Sequence, residues 1–137
     1  MREILFRGRC IGEDIYWGWQ QGYYVRMTDP FKKHETHRIY TGFAESDCGS
    51  FYGDYYKVDP KTVGQFTGLY DKDDNKMIFE GDIVKRNSIP MLVRWDEASA
   101  MFEVEYVMDG ERYCNTLFGN GMLEVIGNIH DNPELLG

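Results

Sequence analysis

What this sequence lacks narrows the field first. No stretch approaches the roughly 20 consecutive apolar residues of a membrane-crossing helix. The apolar run in the opening MREILFRGRC is too short for the core of an export signal, and no cleavage site follows it. The G-x-S-x-G of hydrolase nucleophiles, the phosphate-cradling G-x-x-x-x-G-K-[ST] and the H-E-x-x-H of zinc proteases are all missing. The three cysteines, Cys10, Cys48 and Cys114, make no C-x-x-C pair. An odd, widely spaced set fits free thiols in a reducing compartment better than a disulfide framework. Positive charge is also scarce: 15 Lys and Arg face 23 Asp and Glu, a formal net charge of -8. Phosphate neutralisation needs clustered cations, so general nucleic-acid affinity is disfavoured. The expectation is a soluble, cytoplasmic protein whose acidity is compatible with a basic partner or with mimicry of a nucleic-acid surface.

What is present points to strands. The chain has 137 residues, enough for one domain that buries about two-thirds of its unfolded surface. Ten Tyr, eight Phe, three Trp and 15 Gly favour short strands and tight turns over helices. Residues 3–10 read as a first strand, and 15–20 with 23–27 as a hairpin turning at Gln21-Gly22. Residues 41–54, rich in Gly, Ser and Asp, read as surface loop, part of a variable segment at about 29–54. Further on, 91–95 is a strand and 101–108 alternates, with Phe102, Val104, Tyr106 and Met108 on one face. Asp109-Gly110 is the strongest hairpin signal, because a type I′ turn requires positive φ at both central positions. That register sets Tyr106 opposite Tyr113 and Cys114 opposite Glu105. A closing strand at 123–129 and a turn of helix at 132–136 follow. The expected architecture is mainly all-β: a meander over 1–61, then a small Src-homology-like barrel over 62–137, with antiparallel hairpins and little helix.

The chain is organised around residues 65–84, QFTGLYDKDDNKMIFEGDIV. A strand leads into a carboxylate-dense turn, a second strand returns, and Glu80-Gly81-Asp82 breaks it before Ile83-Val84. Asp71, Asp73 and Asn75 match positions 1, 3 and 5 of a calcium loop, with Asp82 at position 12. Lys76 takes the place of the turn glycine at position 6, however, and the bidentate Glu is absent. The expectation is a solvent-exposed hairpin tip without structural calcium. Asp82 beside Glu80 is a second carboxylate pair, read as closing a turn through backbone amides at the strand entrance. Trp17 and Trp19, two apart, would share a face of a strand and are read chiefly as core, with stacking on a base or sugar as the alternative. His34 and His37 form an H-x-x-H pair without the further donors that zinc requires. Cys114 as a nucleophile would need a base, for which His130 is the C-terminal candidate. Trp17, Trp19, Asp71, Asp73, Glu80 and Asp82 are thus the candidate binding residues; no catalytic residue, metal or cofactor is expected.

Three segments carry a family resemblance: Phe6-Arg7-Gly8, residues 58–84 (VDPKTVGQFTGLYDKDDNKMIFEGDIV) and residues 124–136 (EVIGNIHDNPELL). The combination of TGL-x-DK…I-[YF]-EGDIV with a late [IV]-GN-[IV]-[YH]-x-NPELL resembles the YopX family. Where that family's turn carries Asn-Gly after Asp-Lys, this chain has Asp73-Asp74-Asn75. The resemblance implies a mostly β fold and a bacteriophage or prophage setting, but no biochemical activity.

Two function classes follow. The first is a non-enzymatic accessory protein that binds a host or phage protein through exposed sheet edges or an aromatic patch. The second is an acidic nucleic-acid mimic or a single-strand-binding module. Short β domains leave edges that must be covered, charged or paired. With so many aromatics, a homo-oligomer is expected as well.

Overall fold

Apolar and aromatic residues alternate with polar ones along most of the chain, and strands form accordingly. A computed structural model describes residues 3–31, 33–49, 51–73, 76–118 and 122–137, without the side chains of 44, 45, 51 and 52. The fold is mainly β, in antiparallel sheets, and the chain divides into residues 1–65 and 66–137.

In residues 1–65 the strands are β1 (Phe6–Arg9), β2 (Trp19–Thr28), β3 (Glu35–Glu45) and β4 (Phe51–Lys57), laid out β4-β3-β2-β1. The first residues of β5 (Gly64–Tyr70) pair on β1, Gln65 opposite Phe6. Register aligns Tyr24, Ile39 and Tyr56 across β2, β3 and β4, so all three share one face. That face is the core: Cys10, Ile39 and Val58 are buried, with Phe6, Tyr24, Tyr56 and Val63 packed around them. The opposite face carries Tyr23, Tyr40 and Tyr55 in matching register.

Two expectations fail in this unit. The segment 41–54 is not a loop; β3 and β4 pair through it, from Arg38↔Lys57 to Glu45↔Phe51, so the variable segment at 29–54 is largely sheet. Its glycines misled because one of them makes room for rings. A Cβ on Gly53 would lie 2.8 Å from Tyr40 Cδ1 and 3.0 Å from Phe43 Cδ1. Nor is there a turn at Gln21-Gly22. A 3-10 helix occupies Gly12–Trp17, and β2 runs unbroken from Trp19 to Thr28 because Gln21 and Gly22 pair with Arg7 and Phe6 of β1.

In residues 66–137, β6 (Met77–Phe79) returns along the later part of β5, Phe66 opposite Phe79 and Tyr70 opposite Met77. The five-stranded sheet comprises β7 (Asp82–Arg86), β8 (Ile89–Asp96), β9 (Met101–Met108), β10 (Glu111–Thr116) and β11 (Glu124–Asn128), in the order β10-β9-β8-β7-β11. Ile78, Val84, Met91, Val93, Val104 and Leu123 form its buried core. The expected barrel does not close: β10 pairs only with β9, and every residue of β10 is exposed. Beyond β10 the chain lays Leu117 and Leu123 on the core instead of extending the strand toward β11, and the sheet stays open. The C-terminal turn is a 3-10 helix, Pro133–Leu136. No helix among the described residues is long and apolar enough to cross a membrane.

Charge divides unevenly between the units. Residues 1–65 hold nine Lys and Arg against nine Asp and Glu, whereas residues 66–137 hold six against fourteen. The whole net charge of -8 therefore belongs to the second unit.

The β9–β10 hairpin has the register read from the sequence, Tyr106↔Tyr113 and Cys114↔Glu105, and its turn has φ 54° at Asp109 and 79° at Gly110. A Cβ at Gly110 would meet no neighbour, so the cost of adding one is conformational. Gly110→Ala should lower stability by more than about 1 kcal/mol, read as a drop in the urea midpoint. A second expectation concerns thiols. Cys10 is buried, and desolvation, then the nearby Asp14 charge, pushes its pKa up, while Cys48 and Cys114 are exposed. A thiol-reactive dye should therefore titrate two groups in the native protein and the third only in denaturant.

Candidate interaction surface

The residues singled out in the sequence divide between the two units, Trp17 and Trp19 in residues 1–65 and Asp71, Asp73, Glu80 and Asp82 in residues 66–137. Trp17 ends the first 3-10 helix, 60% exposed, with its ring edge-on to Tyr56 at 5.9 Å. Gly18, at φ 63°, separates it from Trp19, which opens β2 half-buried beneath the Arg7 guanidinium, 5.0 Å from the ring centroid. The two indoles therefore do not share a strand face, and Trp17 is not core. The reason is local: residues 12–17 coil as a helix, so the period of two begins only at Trp19.

The acidic turn also departs from expectation. Asp71 is 1% exposed, not at a solvated tip. Its N–H donates to the Lys76 carbonyl at 2.9 Å, and its Oδ1 accepts from the Asp73 N–H at 3.1 Å. The next amide, Lys72 N–H, bonds the Leu123 carbonyl at 2.7 Å, which draws the start of the turn against the chain before β11. Asp73 is exposed, as expected, while Asp74 and Asn75 lie outside the described residues.

Glu80 is half-buried, and Asp82 is 1% exposed at the start of β7. The Phe79 N–H donates to Asp82 Oδ2 at 2.8 Å in a buried setting. Between them Gly81 takes φ 93°, donates its N–H to the Val93 carbonyl at 2.8 Å and accepts from the Ile129 N–H at 2.8 Å. The carboxylate thus holds a turn that links β6, β7, β8 and the end of β11. Among the described residues no three His, Cys, Asp or Glu side chains come together as a metal cluster. His37 instead stacks on Tyr24 and shares a 2.5 Å hydrogen bond between its Nδ1 and the Tyr24 hydroxyl.

The surface that sequence reading missed is the outer face of β2, β3 and β4. Tyr23 is 52% exposed, Phe43 57% and Tyr55 40%. The Tyr40 ring stacks on Phe43 at 5.1 Å, Tyr23 meets Phe43 at 5.7 Å, and Tyr40 meets Tyr55 at 5.3 Å. The Arg38 guanidinium lies 4.1 Å over the Tyr55 ring and donates from Nη1 to the Tyr40 hydroxyl at 3.2 Å. Four contiguous rings capped by a cation make an amphipathic plate, apolar in body with hydroxyls at its tips. The signal was present as Arg38-x-Tyr40 and Tyr23-x-Val25-x-Met27, a period of two. A loop at 41–54 hides it, because Phe43 and most of the β3–β4 pairing that sets Tyr55 beside Tyr40 lie in that segment.

A second recess lies in residues 66–137, a half-open cleft of about 450 Å³ on the core side of the five-stranded sheet. Its lining combines the buried Met91, Val104 and Leu123 with the half-buried Ile89, Tyr106 and Arg86.

A helix-poor chain of two antiparallel β units is, in form, a small all-β protein. The family model described as YopX protein matches residues 17–137, and the chain belongs to the YopX family. Phe6-Arg7-Gly8 lies outside the matched range. No curated protein matches the chain.

Asp82→Ala would leave the buried Phe79 N–H without its acceptor. It should cost about 1–3 kcal/mol, measured by chemical denaturation. Glu80→Ala, at a half-buried position, should cost less.

Proposed function

We propose that this chain is a non-enzymatic accessory protein of a bacteriophage or prophage, acting in the cytoplasm of the bacterial host by binding another protein. The observation that carries this reading is the plate of Tyr23, Tyr40, Phe43 and Tyr55. Contiguous exposed aromatics are costly on a surface that meets only water, and Tyr and Arg are the residues that dominate protein-binding hot spots. The plate belongs to a unit whose own charges balance, so the unit itself adds no net charge against either an acidic or a basic partner. The alternative, a single-stranded nucleic acid stacked on the rings, needs a basic groove beside them. The balanced charge of residues 1–65 supports it less, and the acidity of residues 66–137 supports mimicry no further than composition already did.

The test compares wild type with Phe43→Ser and Tyr55→Ser, both exposed positions, in quantitative affinity purification from host cells. Partners retained by wild type should fall by at least about tenfold, the equivalent of one hot-spot residue, with unchanged melting temperature. An unchanged partner set would sink this reading. Saturable binding of a single-stranded oligonucleotide, lost in the same variants, would replace it with the alternative.

Self-association has its own observation. The two-residue turn makes Met108 and Glu111 a hydrogen-bonded pair, and alternation then directs the backbone groups of Arg112, Cys114 and Thr116 away from β9. The Leu117 N–H donating to the Phe102 carbonyl at 3.3 Å agrees with that phase. An antiparallel second copy centred on Cys114 would use all three outward residues and set Arg112 against Thr116, with no like charges opposed. Light scattering should return twice the 16.1 kDa of one chain, and Cys114→Lys should return the monomer. A 16.1 kDa mass for wild type at all concentrations would exclude the pairing.

A further inference from the structure

Arg86 is a cation on the wrong side of its strand. It lies two residues beyond Val84, so it projects to the face that holds the core, and its cross-strand partner Ile89 lines the same cleft. The unit around it holds fourteen carboxylates, and most of its other cations use them. Lys72 and Lys85 both reach Glu124, at 3.4 and 3.6 Å. Arg94 is bound by Glu103 and Glu105, and Arg112 by Glu105. Arg86 has no ion pair or side-chain hydrogen bond among the described residues, although it is half-buried. Lys76 likewise lacks one, but it is exposed and distant in sequence from the cleft lining.

We propose that the cleft binds a small amphipathic monoanion, an acyl or aryl group ending in one carboxylate, with Arg86 as the anchor. The volume of about 450 Å³ falls within the range of small-ligand sites. The buried Met91, Val104 and Leu123 take the apolar body. The Tyr106 hydroxyl is held by the Asn115 side-chain amide at 2.9 Å, which fixes the ring that forms one wall. A carboxylate fits the guanidinium fork through two parallel hydrogen bonds. Charge selects the valence. A dianion such as phosphate would want a second cation, and none is among the described residues that line the cleft, while the net charge of -8 on residues 66–137 opposes every additional negative charge. The bland account is that Arg86 lays its methylene stem over apolar surface and keeps its head in water. That account predicts no preference for an acid over an alcohol.

The experiment titrates the full chain with sodium decanoate and with decanol, by displacement of a fluorescent naphthalene sulfonate and by calorimetry. Decanoate should bind saturably, one per chain, and Arg86→Gln should weaken it at least tenfold while leaving the weaker decanol binding unchanged. Ile89→Glu, which places a carboxylate opposite Arg86 in the β7–β8 pair, should abolish decanoate binding by occupying the fork internally. Circular dichroism and the melting temperature establish that each variant is folded. Equal decanoate affinity in wild type and Arg86→Gln, or no saturable binding below the micellar concentration, overturns the proposal. Retention of decanoate by a folded Ile89→Glu does so independently.

Discussion

A carboxylate sealed from water accepts a buried amide, and the turn that this contact holds ties together four strands of the second unit. Asp82 could not remain buried without donors, because an unsatisfied charge in a low-dielectric interior is strongly unfavourable. The Phe79 N–H supplies one donor, and in doing so folds the chain back on itself between β6 and β7. Gly81 at the apex then turns its own N–H and C=O outward to Val93 and Ile129. Three segments distant in sequence are thereby fixed within one residue of each other. The apolar strands β7 and β8 can only pack in the register that this knot allows, and Val84, Met91 and Val93 meet as core because of it.

Legibility in the sequence followed the range of the forces involved. The Asp109-Gly110 hairpin was readable to the residue, since turn chemistry and a period of two act within a few positions. The strand at 91–95 and the helical C-terminal turn were readable for the same reason. The segment 41–54 was not. Its strands are specified by rings on neighbouring strands, and Gly53 is there for Tyr40 and Phe43 rather than for flexibility. Asp71 failed similarly: a run of acidic residues looks solvated from within, and its burial depends on a hydrogen bond from Lys72 to Leu123, half a hundred residues away. Barrel closure was likewise a question of what the last strand's edge does, which no local pattern encodes.

The candidate surface shows the same limit. Trp17 and Trp19 drew attention as large residues two apart, yet a helical turn put them in different settings. The rings that do converge, Tyr23, Tyr40, Phe43 and Tyr55, come from three strands and are united only by register. The YopX family match covers residues 17–137, all of the second unit and most of the first. The motif residues Glu80, Gly81 and Asp82 turn out to hold the fold, while the aromatic plate lies outside the segments that carried the resemblance.

The concentration of all net charge in residues 66–137 means that the two halves of one chain respond to different variables. Electrostatic forces reach about 8 Å at physiological ionic strength and about 30 Å in dilute buffer. Adding salt would quiet the self-repulsion of the acidic half while leaving the balanced half almost indifferent. Ionic strength therefore acts chiefly through the carboxylates of residues 66–137, while residues 1–65, which carry the aromatic plate, contribute no net charge of their own for salt to screen.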